Sequence, residues 1–190
     1  AVSLGLFDEA MNGVDILYQQ INEDTERDAL FFTIMSNIAS IFIDVGHMKP
    51  CVNSAQKGLD ILNEHKNEVI EQIGEDAYFY NLSNAKSSLI SEKNPFDYTF
   101  STIEQLIEIK TDLWKAIKSF SNKNSGKIEP TYIVNLGNSL KQQFRIAEAI
   151  ECYDLVNKFN LDIPQSWINR SETLIMLNQV SNTFSIQMLE

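Results

Sequence analysis

At four places along the chain, an asparagine follows a bulky apolar residue by two positions. The four pairs are Met35 and Asn37, Phe79 and Asn81, Ile133 and Asn135, and Trp167 and Asn169. A carboxamide offers two N–H donors and an oxygen acceptor, so one asparagine can bracket a backbone peptide group without reading the adjoining side chains. Residues of this type, recurring at equivalent positions, suit the binding of an extended peptide.

The residues that most often carry catalysis or bind metals lack suitable partners. His47 falls in a predicted turn, and His65 lies on a polar helical face with no second His or Cys one helical turn away. Cys51 and Cys152 are too few for a disulfide framework or a four-ligand zinc site. The sequence also contains no glycine-rich phosphate loop and no G-x-S-x-G nucleophile motif. We therefore expect no enzyme activity, no metal and no cofactor.

The net charge of the chain limits the classes of partner that it can bind. The 190 residues hold 15 basic and 26 acidic side chains, a formal net charge of -11 with a sequence pI near 4.6. Nucleic-acid binding depends on clustered Lys and Arg, so it is disfavoured, and a neutral or basic peptide fits better. The most apolar stretch, residues 29–45, carries Thr33, Ser36 and Ser40, which favours a buried helix over a membrane span. The two cysteines lie in apolar helical patterns, as expected in the reducing cytoplasm.

The spacing of apolar residues predicts an all-α fold. With 7 glycines, 4 prolines and no period-two alternation, strands have little support. Turn residues such as Gly46, Gly74, Pro130 and Pro164 separate the apolar helical stretches. The predicted helices cover about residues 4–22, 28–45, 48–71, 75–90, 99–121, 130–143, 146–160 and 164–177, with a last helix from about 180. Short connections between them suggest antiparallel pairs.

Residues 131–178 resemble the tetratricopeptide repeat (TPR), a pair of helices with the pattern W-x2-L-G-x2-Y, then A-x3-F, then P. The matching residues, in order, are Ile133, Leu136, Gly137, Leu140, Ala149, Tyr153 and Pro164. The first marker recurs as Trp167, 34 residues after Ile133, which is the period of that family. Small residues at Gly137 and Ala149 suit two helices that cross closely.

The resemblance implies a single domain of stacked helix pairs that wind into a right-handed superhelix. It extends less clearly over residues 5–20, 32–60 and 76–121, where the markers are further apart. The approximate units are 1–22, 28–71, 75–121, 130–163 and 164–188 of one TPR-like domain covering 1–188. We expect Leu189 and Glu190 to be residues left by an expression vector. An unrelated helical bundle with coincidental spacing is the alternative.

In tetratricopeptide repeats the position of these asparagines faces the concave groove, so the resemblance implies a groove lined by one amide per unit. More polar residues lie one helical turn further along the same face, and two cations stand nearby. The resulting peptide-binding residues are Asn37, Asn81, Asn84, Asn135, Asn138, Asn169, Lys141 and Arg170. The alternative is that the amides form hydrogen bonds between neighbouring units and hold the stack together. A carboxylate clamp is disfavoured, because Lys141 and Arg170 are the only basic residues near the groove.

The leading hypothesis is a non-enzymatic interaction module that binds an extended segment of another protein in this groove. Two alternatives stay open. The chain could be the sensor or scaffold part of a larger enzyme, since similar repeats in bacterial and archaeal proteins sometimes precede a HEPN-type nuclease domain. It could also be a self-associating scaffold whose repeat ends expose apolar faces.

Overall fold

The structure of the chain is a computed structural model that describes residues 56, 59, 60, 62–64, 66–90, 93, 97–159 and 163–187, with side chains up to residue 178. The predicted helices at 4–22 and 28–45 lie outside these residues. The described residues contain helices and no strand, which confirms the all-α class for this part of the chain. The chain divides into two compact units, Ala1–Asp97 and Tyr98–Glu190.

Among the described residues of the first unit, two consecutive helices are joined at a glycine. Helix α1 spans Lys66–Ile73 and helix α2 spans Glu75–Ile90, and the two pack against each other. Between them Gly74 adopts a φ of 90°, in the left-handed region that favours glycine, so the predicted break at this residue is confirmed. Tyr78 and Phe79 make an edge-to-face ring contact within α2, with their centroids 5.1 Å apart.

The described residues of the second unit form four helices. Helix α3 spans Phe100–Lys123, α4 spans Pro130–Gln142, α5 spans Ile146–Phe159 and α6 spans Pro164–Gln187. Helix α3 begins at a capping box, in which the Thr99 side chain accepts a hydrogen bond from the Thr102 backbone N–H. Helix α4 begins with Pro130, at a position where the N–H would have no partner within the helix. The ends of α3, α4 and α5 lie within two residues of the predicted ones.

Each helix of the second unit packs against the next, and α4 also contacts α6. The neighbours run antiparallel: Gln143 at the end of α4 donates to the Leu106 carbonyl near the start of α3 at 3.2 Å. Asp154 near the end of α5 pairs with Arg170 near the start of α6. Two antiparallel helices followed by a third that returns onto the first are what stacked helix pairs require.

Helices α4 and α5 cross closely at Gly137. A Cβ atom added there would lie 2.6 Å from Cε1 of Tyr153, well inside van der Waals contact. Tyr153 and Ala149 are both fully buried in α5. The prediction that Gly137 permits a close helix crossing is therefore confirmed.

Helix α6 is longer than the sequence analysis predicts. The sequence pattern predicts one helix over 164–177 and another from about 180, but α6 continues without a break to Gln187. Residues 178–182 are mostly polar, yet they include neither glycine nor proline, so no residue there terminates the helix. The predicted separation into two helices is wrong.

Candidate peptide-recognition face on helices α4 and α6

The predicted site residues fall in both units. Two of them lie on α2 of the first unit, and both are partly exposed: Asn81 and Asn84. The others that the structure describes lie on α4 and α6 of the second unit: Asn135, Asn138, Lys141, Asn169 and Arg170. Asn37 is outside the described residues. A shared face is therefore described for α4 and α6, and a row of amides along the whole chain stays a prediction.

Asn138 accepts two hydrogen bonds through its side-chain oxygen. Asn169 Nδ2 donates to Asn138 Oδ1 at 2.8 Å, and the Tyr153 hydroxyl donates to the same oxygen at 2.8 Å. Because a carboxamide oxygen has two lone pairs, both acceptor positions of Asn138 are occupied. These bonds join α4 directly to α6 and to the helix between them in sequence, α5.

The side chain of Asn169 is buried within this network. Its side chain is only 5% exposed, and besides donating to Asn138 it accepts a hydrogen bond from Gln165 Nε2 at 3.0 Å. The Thr173 hydroxyl donates to the Asn169 backbone carbonyl at 2.6 Å. Asn169 thus ties α6 to α4, as in the alternative where the amides hold neighbouring units together, and it has little surface to offer a ligand.

Asn138 differs from Asn169 because its nitrogen is not used in the same way. The residue is partly exposed, and within the described part of the chain its Nδ2 makes no hydrogen bond. Two donors hold Oδ1 in place, so the amide has a fixed orientation in which the N–H groups are left for another partner. The bidentate bracket expected of each asparagine is therefore not formed at Asn138, which offers only donors. A carbonyl oxygen is the complementary group.

Both predicted cations are ion-paired. Lys141 Nζ lies 3.3 Å from Glu172 Oε2, which links α4 to α6 beside the amides. The Arg170 guanidinium donates to Asp154 of α5, and this hydrogen bond raises the pKa of Arg170 above its ordinary value. Exposed pairs of this kind contribute little to stability, but they neutralise each other's charge. The polar face around Asn138 is therefore close to neutral, with no unpaired cation from this pair of residues to bind a carboxylate.

Tyr153 is the member of the network that the sequence marks only as part of the repeat pattern. At its place in the repeat pattern a phenylalanine is typical, so the extra hydroxyl is the signal that could have marked it. The residue is fully buried, and this burial raises the pKa of the Tyr153 hydroxyl well above its ordinary value. The hydroxyl therefore remains protonated at neutral pH and available to donate to Asn138.

The described residues contain no group of three or more His, Cys, Asp or Glu side chains that could hold a metal ion. Cys152, which lies in an apolar helical pattern of the sequence, is half-buried on α5. Burial is also the main cause that raises the pKa of its thiol to about 11. A thiol with so high a pKa is a poor nucleophile at neutral pH.

Within the part of the chain that the structure describes, no helix is both long and apolar enough to cross a membrane.

The sequence matches no protein-family model and no curated protein. The resemblance to tetratricopeptide repeats therefore depends on the chain's own residues. Its markers are the 34-residue recurrence from Ile133 to Trp167 and the close crossing at Gly137.

Proposed function

We propose that this chain is a non-enzymatic protein-interaction module of the tetratricopeptide type, and that α4 and α6 present a groove for an extended segment of another protein. The observation that carries the proposal is the carboxamide of Asn138. Its oxygen is held by Tyr153 and Asn169, while its nitrogen makes no hydrogen bond within the described residues. A donor that is already oriented loses less conformational entropy on binding than a mobile side chain does.

The packing of the second unit supports the repeat architecture. Helices α4 and α5 form one antiparallel pair, and α6 returns onto α4 as the first helix of a following pair would. Asn135 and Asn169 are 34 residues apart and occupy equivalent places on these two first helices. Continued stacking of such pairs produces a superhelix with one concave face, which in this family is right-handed.

The N–H donors of Asn138 favour the backbone of an extended peptide. Every residue of such a peptide offers a main-chain carbonyl as an acceptor, so binding through Asn138 does not depend on a particular peptide side chain. The chain's charge of -11 disfavours an acidic peptide.

Asn138→Asp separates ligand recognition from the internal network. Aspartate keeps an oxygen that can accept from Tyr153 and Asn169, but it replaces the two N–H donors with a second acceptor. The probe is a set of peptides selected against the full chain from a random display library. We expect the substitution to weaken peptide binding by roughly 1–3 kcal/mol, with little change in melting temperature.

The control is Asn178→Ala, which removes an exposed amide of α6 that lies beyond the network. It should leave both peptide affinity and melting temperature unchanged. If Asn138→Asp lowers the melting temperature while peptide affinity survives, the amides serve only to hold the helices together. Failure to select any peptide that competes for the α4 and α6 face would also refute the proposed groove.

One observation favours self-association as a second candidate function. Helix α6 exposes large apolar side chains over about three turns: Trp167, Ile168, Leu174, Ile175 and Leu177. Contiguous exposed apolar surface is typical of protein contacts. Sedimentation equilibrium of the chain and of Ile175→Lys tests the idea. A dimer that dissociates in the variant supports self-association, and a chain that stays monomeric at all concentrations rules it out.

A further inference from the structure

We propose that the cleft between α3 and α5 is a second docking site, which takes an amphipathic helix of a partner protein with acidic residues beside its apolar stripe. The cleft lies wholly within the second unit. It consists of two adjoining hollows with volumes of about 490 and 340 Å³. Ile133 of α4 and Leu155 of α5 line both hollows, so together they form one trough.

Three helices build this trough. Helices α3 and α5 both pack on α4, but they do not form a helix pair with each other. Because each runs antiparallel to α4, they are two parallel walls with α4 as the floor between them. The floor and walls present apolar side chains: Ile133, Leu136 and Leu140 from α4, Trp114 from α3, and Leu155 and Phe159 from α5.

Two aromatic side chains that line the trough are largely exposed to solvent. Trp114, which lines one hollow, is 55% exposed, and Phe159, which lines the other, is 73% exposed. Leu155 lines both hollows and is also exposed. Aromatic residues that become buried on association commonly supply much of the binding free energy. An exposed apolar surface with this shape therefore favours a partner that inserts its own apolar side chains.

The trough suits a helix rather than an extended segment. Its walls are helix surfaces, whose backbone N–H and C=O groups are already bonded within the helices. An extended segment would lose water from its own backbone without gaining partners, whereas a helix satisfies its backbone internally. Helix α5, which borders the trough, has 14 residues and rises about 21 Å, so a partner helix of about four turns would fill the trough.

The rim indicates the charge of that helix. Its basic residues are Lys110, Lys127 and Arg145, and its acidic residues are Glu148 and Glu151. The rim thus has more basic than acidic groups, although the whole chain has 15 basic and 26 acidic. Arg145 and Glu148 bond each other, while Lys127 is exposed and makes no ion pair with any described residue. Acidic flanks on the partner helix would therefore contact cations directly. The more distant charges of the chain matter less, because salt screens them beyond about 8 Å.

The trough and the Asn138 face lie on opposite sides of α4. Ile133, Leu136 and Leu140 recur at intervals of three and four residues, which places them on one side of the helix. Asn135 and Asn138 fall on the other side at the same periodicity. A partner helix in the trough would leave the proposed peptide groove open, so the two sites can be tested separately.

The test uses synthetic helical peptides of about four turns with a leucine stripe, flanked in one version by Glu and in the other by Lys. A third version carries a central proline, which breaks the helix. Binding to the full chain in a Trp167→Phe background is followed by the fluorescence of Trp114. We expect the Glu-flanked peptide to bind best, the Lys-flanked peptide to bind about two- to fivefold more weakly, and the proline version not to bind.

Two phenylalanines provide a matched pair of variants. Phe159→Lys removes an anchor that lines the trough, whereas Phe100→Lys changes a side chain that is 75% exposed and outside the trough. Both should fold, since neither ring is buried. Phe159→Lys should weaken the Glu-flanked peptide tenfold or more, while Phe100→Lys and Asn138→Asp should leave it unchanged. Equal effects of the two Phe variants, equal affinity for all three peptides, or no binding to any of them would each overturn the proposal.

Discussion

The side-chain nitrogen of Asn169 donates to the side-chain oxygen of Asn138 at 2.8 Å, across 31 positions of sequence. Removing this bond should destabilise the folded chain. Asn169→Ala leaves Asn138 Oδ1 with Tyr153 as its remaining donor and removes the acceptor of Gln165. Because Asn138 is partly buried and Asn169 is almost fully buried, we expect the free energy of unfolding to fall by about 1–3 kcal/mol. Urea unfolding measures the loss, and Asn178→Ala, which changes an exposed amide of the same helix, should have almost no effect.

Tyr153→Phe tests the hydroxyl of the same network and keeps the ring. The substitution removes one donor to Asn138, so we expect a loss of about 0.5–1.5 kcal/mol in the free energy of unfolding. The Asn138 amide would also lose one of the two bonds that fix its orientation. Peptide affinity should therefore fall modestly in this variant, even though Tyr153 itself is buried away from any ligand. A variant as stable as the original chain would show that the hydroxyl contributes nothing.

In Gly137→Ala, a gain in helix propensity competes with a loss of good packing between α4 and α5. Alanine is a better helix former than glycine by about 1 kcal/mol, but its Cβ would lie 2.6 Å from the Tyr153 ring. Forcing extra atoms into a packed contact costs about 1–3 kcal/mol, so we expect a net decrease in melting temperature. Adding Tyr153→Leu should recover part of the loss caused by the alanine, which a double-mutant cycle detects. A more stable Gly137→Ala variant would mean that the crossing can widen freely.

Phe144→Gly should stabilise the chain. Phe144 occupies the turn between α4 and α5 with a φ of 58°, a region in which a side chain with a Cβ costs about 1–2 kcal/mol. Its ring is largely exposed, so little packing is lost when it is removed. Glycine relieves the strain but increases the entropy of the unfolded chain, which leaves a net gain of about 0.5–1 kcal/mol. Phe144→Ala is the control: it removes the ring but keeps the Cβ, and it should not stabilise.

Cys152 should make stability depend on pH in the alkaline range. Burial raises the pKa of its thiol to about 11 from an unfolded value near 9.0. Above the unfolded pKa the unfolded chain releases the proton while the folded chain retains it, so stability is complete below pH 9 and is lost as the pH rises toward 11. Urea unfolding at about pH 8 and about pH 10.5 should show a smaller decrease for Cys152→Ala than for the original chain. Equal decreases would contradict the shift.

The helices themselves are largely readable from the amino-acid order, because their signals are local. Pro130 at a helix start and Gly74 at a break act through their own backbone geometry, and both appear where the sequence analysis places them. The requirement for a small residue at Gly137 was also visible, since the repeat pattern records which side chains meet across a pair of helices. The prediction of a break after residue 177 was wrong because polar composition alone does not end a helix.

The chemistry of the asparagines could not be read in the same way. Asn138 and Asn169 have the same side chain and similar places in the helical pattern, yet one keeps its donors for a ligand and the other is almost fully buried. The difference arises from bonds that cross 15 and 31 positions and depend on how α4, α5 and α6 rotate against one another. Local sequence specifies which residues face one side of a helix, but only the packed helices determine which atoms on that side remain without a partner.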